Sequence, residues 1–224
     1  MNVLALETTE AAASLAAFGD GNLVLEINLD SNKRSAQALA PGVRELLRRA
    51  GWRATDLDLV AVSIGPGSFT GVRVGVTTAK VLAYTAGAEV LGVETPATIA
   101  AAVPDEVQDL SVVLDAQRGE LVTQRFHRGA DQQMKAEKPW QLMTVDAWLG
   151  SLDSTVAVAG PILRRLAGRL PAEVKVLDRA FWSPRAATLG RLAMADYALG
   201  RRDDIWKLLP IYFRRSAAEE KLDA

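Results

Sequence analysis

The sequence predicts an α/β protein made of two similar βββαβα units that face one another across a cleft. Short apolar runs with strand character alternate with stretches of helical periodicity along the whole chain. The element order of residues 1–103 recurs in residues 104–224, although the two halves share negligible identity. At 224 residues, 49% of them apolar and 24% charged, the chain is long enough for two cores and has the composition of a globular protein.

Taken in order, "NVLALE" (2–7) and "ASLAAF" (13–18) read as strands, and the turn "GDGN" (19–22) leads into a third, "LVLEINL" (23–29). A helix follows over 35–50, with Leu39, Val43, Leu46 and Leu47 at helical spacing and Gly51 as its stop. Pro41 is expected to bend its first turns. "LDLVAVSI" (57–64) is a run of the type found in a buried strand, 71–86 is a second helix, "EVLGVE" (89–94) a further strand, and Thr95-Pro96 opens a third helix. In the second half, "LSVVLDA" (110–116), "ELVTQRF" (120–126) and residues 132–142 give three strands around the loop "DAQRGE". A helix at 145–150, the strand "TVAVAG" (155–160) and a helix over 161–170 follow. A strand "EVKVLD" (173–178) and a long helix over 184–199 complete the order. The C-terminal segment is expected to pack back on the first unit, and "SAAEEKLDA" (216–224) to form a loose tail.

Several function classes drop out on composition. A net charge of −1 lacks the excess of Lys and Arg that nucleic-acid binding by the whole surface requires. With no cysteine there is no disulfide, thiolate metal site or cysteine nucleophile. The start "MNVLALETT" carries no basic leader and no apolar run approaches 18 residues, so the expectation is a cytoplasmic protein without membrane contact.

The segment "SIGPGSFTGVRVG" (63–75) holds four glycines, which signals close approach of backbone to something. One reading is a phosphate cradle at a helix N-terminus, yet the segment lacks the Lys of a Walker loop and the spacing of a dinucleotide fingerprint. A second is packing. Gly71, Gly75, Ala79 and Ala83 recur every four residues and form a ridge of tiny side chains, and each interior glycine costs a helix about 1 kcal/mol against alanine. The polar positions Arg73, Thr77, Lys80 and Tyr84 form one narrow stripe, leaving an apolar or small arc of about 220°. Either a partner chain covers the surplus, across Gly71, Val72, Gly75, Val76, Ala79 and Ala83, or the helix is buried within the monomer. On the partner reading, Gly75→Leu leaves the fold intact and destroys docking.

Catalytic signals are sparse. The lone histidine, His127, has no Asp or Glu at a telling spacing and reads as a surface residue. One histidine without cysteine argues against a histidine-based zinc or iron site, leaving at most an all-carboxylate Mg²⁺ site. Glu7 with Thr8, Thr9 and Glu10, and Asp115 with Arg118 and Glu120, lie in equivalent loops, where a phosphotransferase built from duplicated domains would hold Mg²⁺ and nucleotide; Gly160 belongs to the same cleft. The competing reading of these residues is turn and cap chemistry.

Four segments in order, "VLALETTEAAASLAAF", "GPGSFTGVRVGVTTAKVLA", "LDAQRGELV" and "PIYFRR", resemble the bacterial TsaB (YeaZ) family of tRNA threonylcarbamoyladenosine biosynthesis, from residue 1 to about 216. The resemblance implies the duplicated actin-like, sugar-kinase-like (ASKHA, RNase H-like) fold. It implies a non-catalytic scaffold that activates a TsaD-type catalytic paralogue, with a TsaE-type ATPase joining the complex and tRNA met only through it. The paralogue's His-x-x-x-His metal pair is absent here, where the comparable helix reads "SAQALAPGV". Neither a catalytic residue nor a metal of its own is therefore expected, and at most weak ATP or ADP binding in the cleft. The family docks through its first two helices and self-associates as a homodimer when the partner is absent, which implies an interface here of Leu39, Val43, Leu46 and Leu47 with the small ridge. The alternative is an independent ATP-dependent small-molecule kinase; peptidase chemistry is disfavoured, since no nucleophile or metal ligands are in place.

Overall fold

The computed structural model describes residues 1–30 and 35–213; the tail expected at 216–224 lies outside the described residues. The first unit comprises β1 (Asn2–Glu7), β2 (Ser14–Gly19), β3 (Asn22–Asn28), α1 (Ser35–Ala50), β4 (Leu59–Gly65), α2 (Phe69–Ala86), β5 (Glu89–Glu94) and α3 (Thr95–Ala100). Its sheet runs β3-β2-β1-β4-β5, antiparallel at β1–β2 and β2–β3 and parallel at β1–β4 and β4–β5. β1, β2, β4 and β5 read as largely apolar runs because both faces are covered, whereas the edge strand β3 is exposed to half-buried. Leu4, Leu6, Val60 and Val62 point to α1 and α2, whereas Val3, Ala5, Leu59 and Ala61 point to the opposite face. α1 passes through Pro41 without a break. The carbonyl that Pro41 cannot pair is that of Gln37, on an exposed turn where water can reach it.

The second unit contains β6 (Asp109–Asp115), β7 (Glu120–Arg128), β8 (Met134–Ala136), β9 (Gln141–Thr144), α4 (Val145–Gly150), β10 (Ala157–Ala159) and α5 (Leu163–Leu166). Its sheet runs β10-β6-β7-β8, with β9 also on β7. The strand expected over 132–142 is thus two short pieces on one neighbour. The strand expected at 173–178 shrinks to a single bridge between Val176 and Val158, because β10 offers a ladder of three residues. With β8 and β9 taken as one interrupted strand and that bridge as a fifth, both units share one order, the duplicated actin-like arrangement.

The last helix, α6 (Ala186–Ala198), leaves its own sheet and covers the far face of the first, packing Ala186, Leu189 and Ala193 on Ala16, Phe18 and Leu91. Beyond it, residues 201–213 also return to the first unit. The Arg201 guanidinium donates to the Gly92 carbonyl at 2.7 Å, the Gly92 N–H to Asp203 at 2.8 Å, and the Ile211 N–H to the Ile64 carbonyl at 2.7 Å. Among the described residues no helix is long and apolar enough to cross a membrane.

Candidate functional site

What approaches the glycine segment is the chain's own β1 exit. A Cβ on Gly71 would lie 2.0 Å from the Thr8 carbonyl oxygen, one on Gly75 2.2 Å from Thr8 Oγ1, and one on Gly67 2.6 Å from the Thr9 Cβ. Thr8 Oγ1 donates to the Gly71 carbonyl at 2.8 Å, and the Ser68 N–H donates to the Thr9 carbonyl at 2.8 Å. Ser68 Oγ caps α2 by accepting from the Gly71 N–H at 3.3 Å. The N–H groups of Ser68 and Gly71, which a phosphate cradle would use, are therefore spent inside the chain.

This corrects the interface expected from sequence. Leu39, Val43, Leu46, Leu47, Gly71, Val72, Gly75, Val76, Ala79 and Ala83 are all buried within the single chain. The small ridge seats Thr8 and the first sheet, so a second polypeptide cannot cover it. Of the ten, only Val43 and Leu47 reach an outward-facing feature, the floor of an apolar groove between α1 and α2. Ala40, Arg44, Arg48 and Trp52 on one side and Thr78 and Leu82 on the other form its walls.

The polar stripe of α2 is occupied by residues 201–213. Arg73 donates to the Tyr212 hydroxyl at 2.7 Å and lies 3.8 Å from the Phe69 ring centroid. Lys80 donates to the Leu208 carbonyl at 3.3 Å, and Tyr84 meets Trp206 edge-on at 5.8 Å. The closing "PIYF" thus straps onto the helix that begins at "SFTG", a long-range pairing that nothing in local spacing announces.

A cleft of about 590 Å³ lies between the units, walled by Thr9, Glu10, residues 66–70, Thr95, Asp115 and Gln117 among others. Of the residues expected in it, Thr9, Glu10 and Asp115 line it. Glu7 and Thr8 are wholly buried. Arg118 is exposed outside the lining. Gly160 serves packing in the second unit, where a Cβ would fall 2.0 Å from the Val113 carbonyl oxygen.

Glu7 Oε1 accepts from the Thr9 N–H at 2.7 Å and the Thr9 hydroxyl at 2.5 Å, while Oε2 is buried without a hydrogen bond. Burial pushes this carboxyl up to about 7, with the Thr9 hydrogen bonds pulling the other way. The two carboxylates that line the cleft are held by consecutive arginines of α5. Arg165 clasps Asp115 with two bonds, at 3.0 and 3.1 Å, and Arg164 reaches across to Glu10 at 3.0 Å. Both oxygens of Asp115 are thus engaged, whereas Glu10 is held through Oε2 alone.

Sequence reasoning missed the partners of His127. Asp109, eighteen residues earlier, is its cross-strand neighbour, and Nδ1 lies 2.7 Å from Asp109 Oδ1. The strand pairing, which carries no local signal, brings the two together.

Comparisons with known proteins agree with this architecture. The chain is 27% identical to the tRNA threonylcarbamoyladenosine biosynthesis protein TsaB of Escherichia coli, covering 99% of this chain and 98% of that protein. To TsaB of Bacillus subtilis it is 28% identical, over 99% and 97%. A solved structure of YeaZ from Pseudomonas aeruginosa superposes with a TM-score of 0.80 at 27% identity, over 95% of this chain and 99% of that one. The family described as TsaD, tRNA N6-adenosine threonylcarbamoyltransferase, matches residues 29–199. The chain therefore belongs to that family, and the full-length relatives it resembles are TsaB proteins.

Proposed function

We propose that this chain is a non-catalytic scaffold in tRNA threonylcarbamoyladenosine synthesis, working in the cytoplasm beside a TsaD-type catalytic paralogue. The observation that carries the reading is the cleft, where Glu10 and Asp115 are neutralised by Arg164 and Arg165 of the same chain. A TsaE-type ATPase joins the assembly, tRNA is met through the complex, and the chain pairs with itself when alone. The family resemblance supports these partners. Docking uses the groove over Val43 and Leu47 instead of the small-residue ridge, since the groove is the apolar feature that α1 and α2 leave open.

The test is co-purification with the TsaD-type paralogue of the same organism, followed by a modification assay with and without this chain. Modification is expected only when both are present; equal modification without this chain would overturn the proposal. The rival reading, a free-standing kinase, requires phosphotransfer by the purified chain with Mg-ATP, and none is expected. Ala40→Arg places a charge in the groove at an exposed position. It is expected to weaken the complex by about 2 kcal/mol, the scale of a binding hot spot, with an unchanged circular dichroism spectrum. Undiminished binding by calorimetry would move the interface elsewhere.

A further inference from the structure

The outer face of the second sheet holds a cluster that the scaffold role does not use. Asp109 on β6 and His127 on β7 are register partners, so they share a face. His127 also pairs with Lys135 on β8, and Glu137 lies two residues beyond Lys135, again on that face. The Glu137 N–H bonds to the Arg125 carbonyl at 3.0 Å, which extends the β7–β8 pairing and fixes its position. Ligand atoms of Asp109, His127 and Glu137 all fall within 4.8 Å of one another.

The neighbouring cations are engaged elsewhere. Lys135 holds Asp131 at 2.7 Å and Arg125 faces Asp153 at 3.7 Å. Among the described residues the Glu137 carboxylate has no ion pair or hydrogen bond. Two carboxylates thus converge on one imidazole without a fixed cation between them, an arrangement that costs repulsion until positive charge arrives.

We propose that Asp109, His127 and Glu137 form a binding site for a divalent transition ion of the zinc class. One imidazole nitrogen and two carboxylate oxygens suit such an ion, whereas Mg²⁺ and Ca²⁺ favour all-oxygen shells. Bonds of about 2.1 Å in a tetrahedron put ligand atoms about 3.4 Å apart. Rotation of the exposed Glu137 brings its oxygen toward that value, and the 2.7 Å contact between His127 Nδ1 and Asp109 opens to it as the ion replaces their hydrogen bond. Three protein ligands leave the fourth position to water or to a donor from another molecule. Local spacing around the single histidine carries no sign of these carboxylates, because one comes from β6 and the other from the residue that follows β8.

The test uses the full chain without an affinity tag. Zn²⁺ is titrated against a competing chromogenic chelator, and Co²⁺ uptake is followed by visible absorption. One ion per chain is expected, lost in His127→Ala and weakened roughly tenfold or more in Asp109→Asn and Glu137→Gln, since losing an outer-sphere partner alone does that much. Asp153→Asn, on the neighbouring Arg125 pair, should bind like the parent, and circular dichroism should match throughout. No saturable uptake by the parent chain, or uptake that survives His127→Ala, would overturn the proposal.

Discussion

Gly75→Leu is expected to yield no stable folded chain, and Gly71→Ala a strongly destabilised one. At Gly75 the first added carbon already stands 2.2 Å from Thr8 Oγ1, and Thr8 cannot swing away while its hydroxyl is bonded to the Gly71 carbonyl at 2.8 Å. Leucine then adds three more carbons to a space walled by a fully buried β1 exit. Ordinary overpacking costs about 1–3 kcal/mol; here the obstacle is hydrogen-bonded and backbone-linked, so the loss should exceed about 4 kcal/mol, enough to consume much of a domain's stability. At Gly71 the obstacle is the Thr8 carbonyl oxygen at 2.0 Å, a backbone atom that only a shift of β1 or α2 can move. Thr8→Ala should partly rescue Gly75→Ala, because it removes the hydroxyl that the new methyl meets, and should leave Gly71→Ala unrescued. Urea unfolding of Thr8→Ala, Gly75→Ala, Gly71→Ala and the two double variants measures this coupling. A folded Gly75→Leu monomer of parent stability would return the ridge to the surface.

That reversal shows where sequence periodicity stops being informative. A four-residue repeat of tiny side chains reports that a backbone comes close, and it says nothing of whose backbone. The apolar arc of α2 was wide enough to suggest a partner. The structure fills it with Thr8, the first sheet and α1, and residues 201–213 cover the polar stripe as well. Element order was legible for a physical reason: β1, β2, β4 and β5 are buried on both faces and the helices on one, so their apolar periods differ. The hairpin at Asp20-Gly21, with φ of 49° and 82°, likewise follows from the two residues that tolerate that geometry. What could not be read was pairing at a distance. The strap onto Arg73, the clasping of Asp115 by Arg165, and the meeting of Asp109 with His127 are set by topology, and each partner taken alone looks like an ordinary surface residue.

Glu7→Gln is expected to gain stability relative to the parent as pH rises from 5 to 8. In the unfolded chain Glu7 titrates near 4.5, and in the folded chain burial raises it to about 7. Between those values the native state holds a proton that the unfolded state has released, so parent stability falls with rising pH and the loss is complete only above about 7. The separation of the two values corresponds to roughly 3 kcal/mol at 1.36 kcal/mol per pH unit. Glutamine keeps the acceptor that Thr9 bonds through its N–H and hydroxyl, and removes the charge at the Oε2 position, where no hydrogen bond offsets it. The variant should therefore lack this slope, and subtracting its stability from the parent's at each pH cancels the titration of every other group. Denaturant unfolding of both chains at pH 5, 6.5 and 8 checks the difference. A constant gap across that range would mean that Glu7 stays charged in the fold, neutralised by something the surrounding residues do not supply. A gap widening in glutamine's favour would identify the buried carboxyl as a protonated strut beneath the cleft, a group built for packing where a working phosphotransferase keeps an ionised acid. That result would bear on the scaffold reading independently of any partner, because it tests the cleft in the isolated chain.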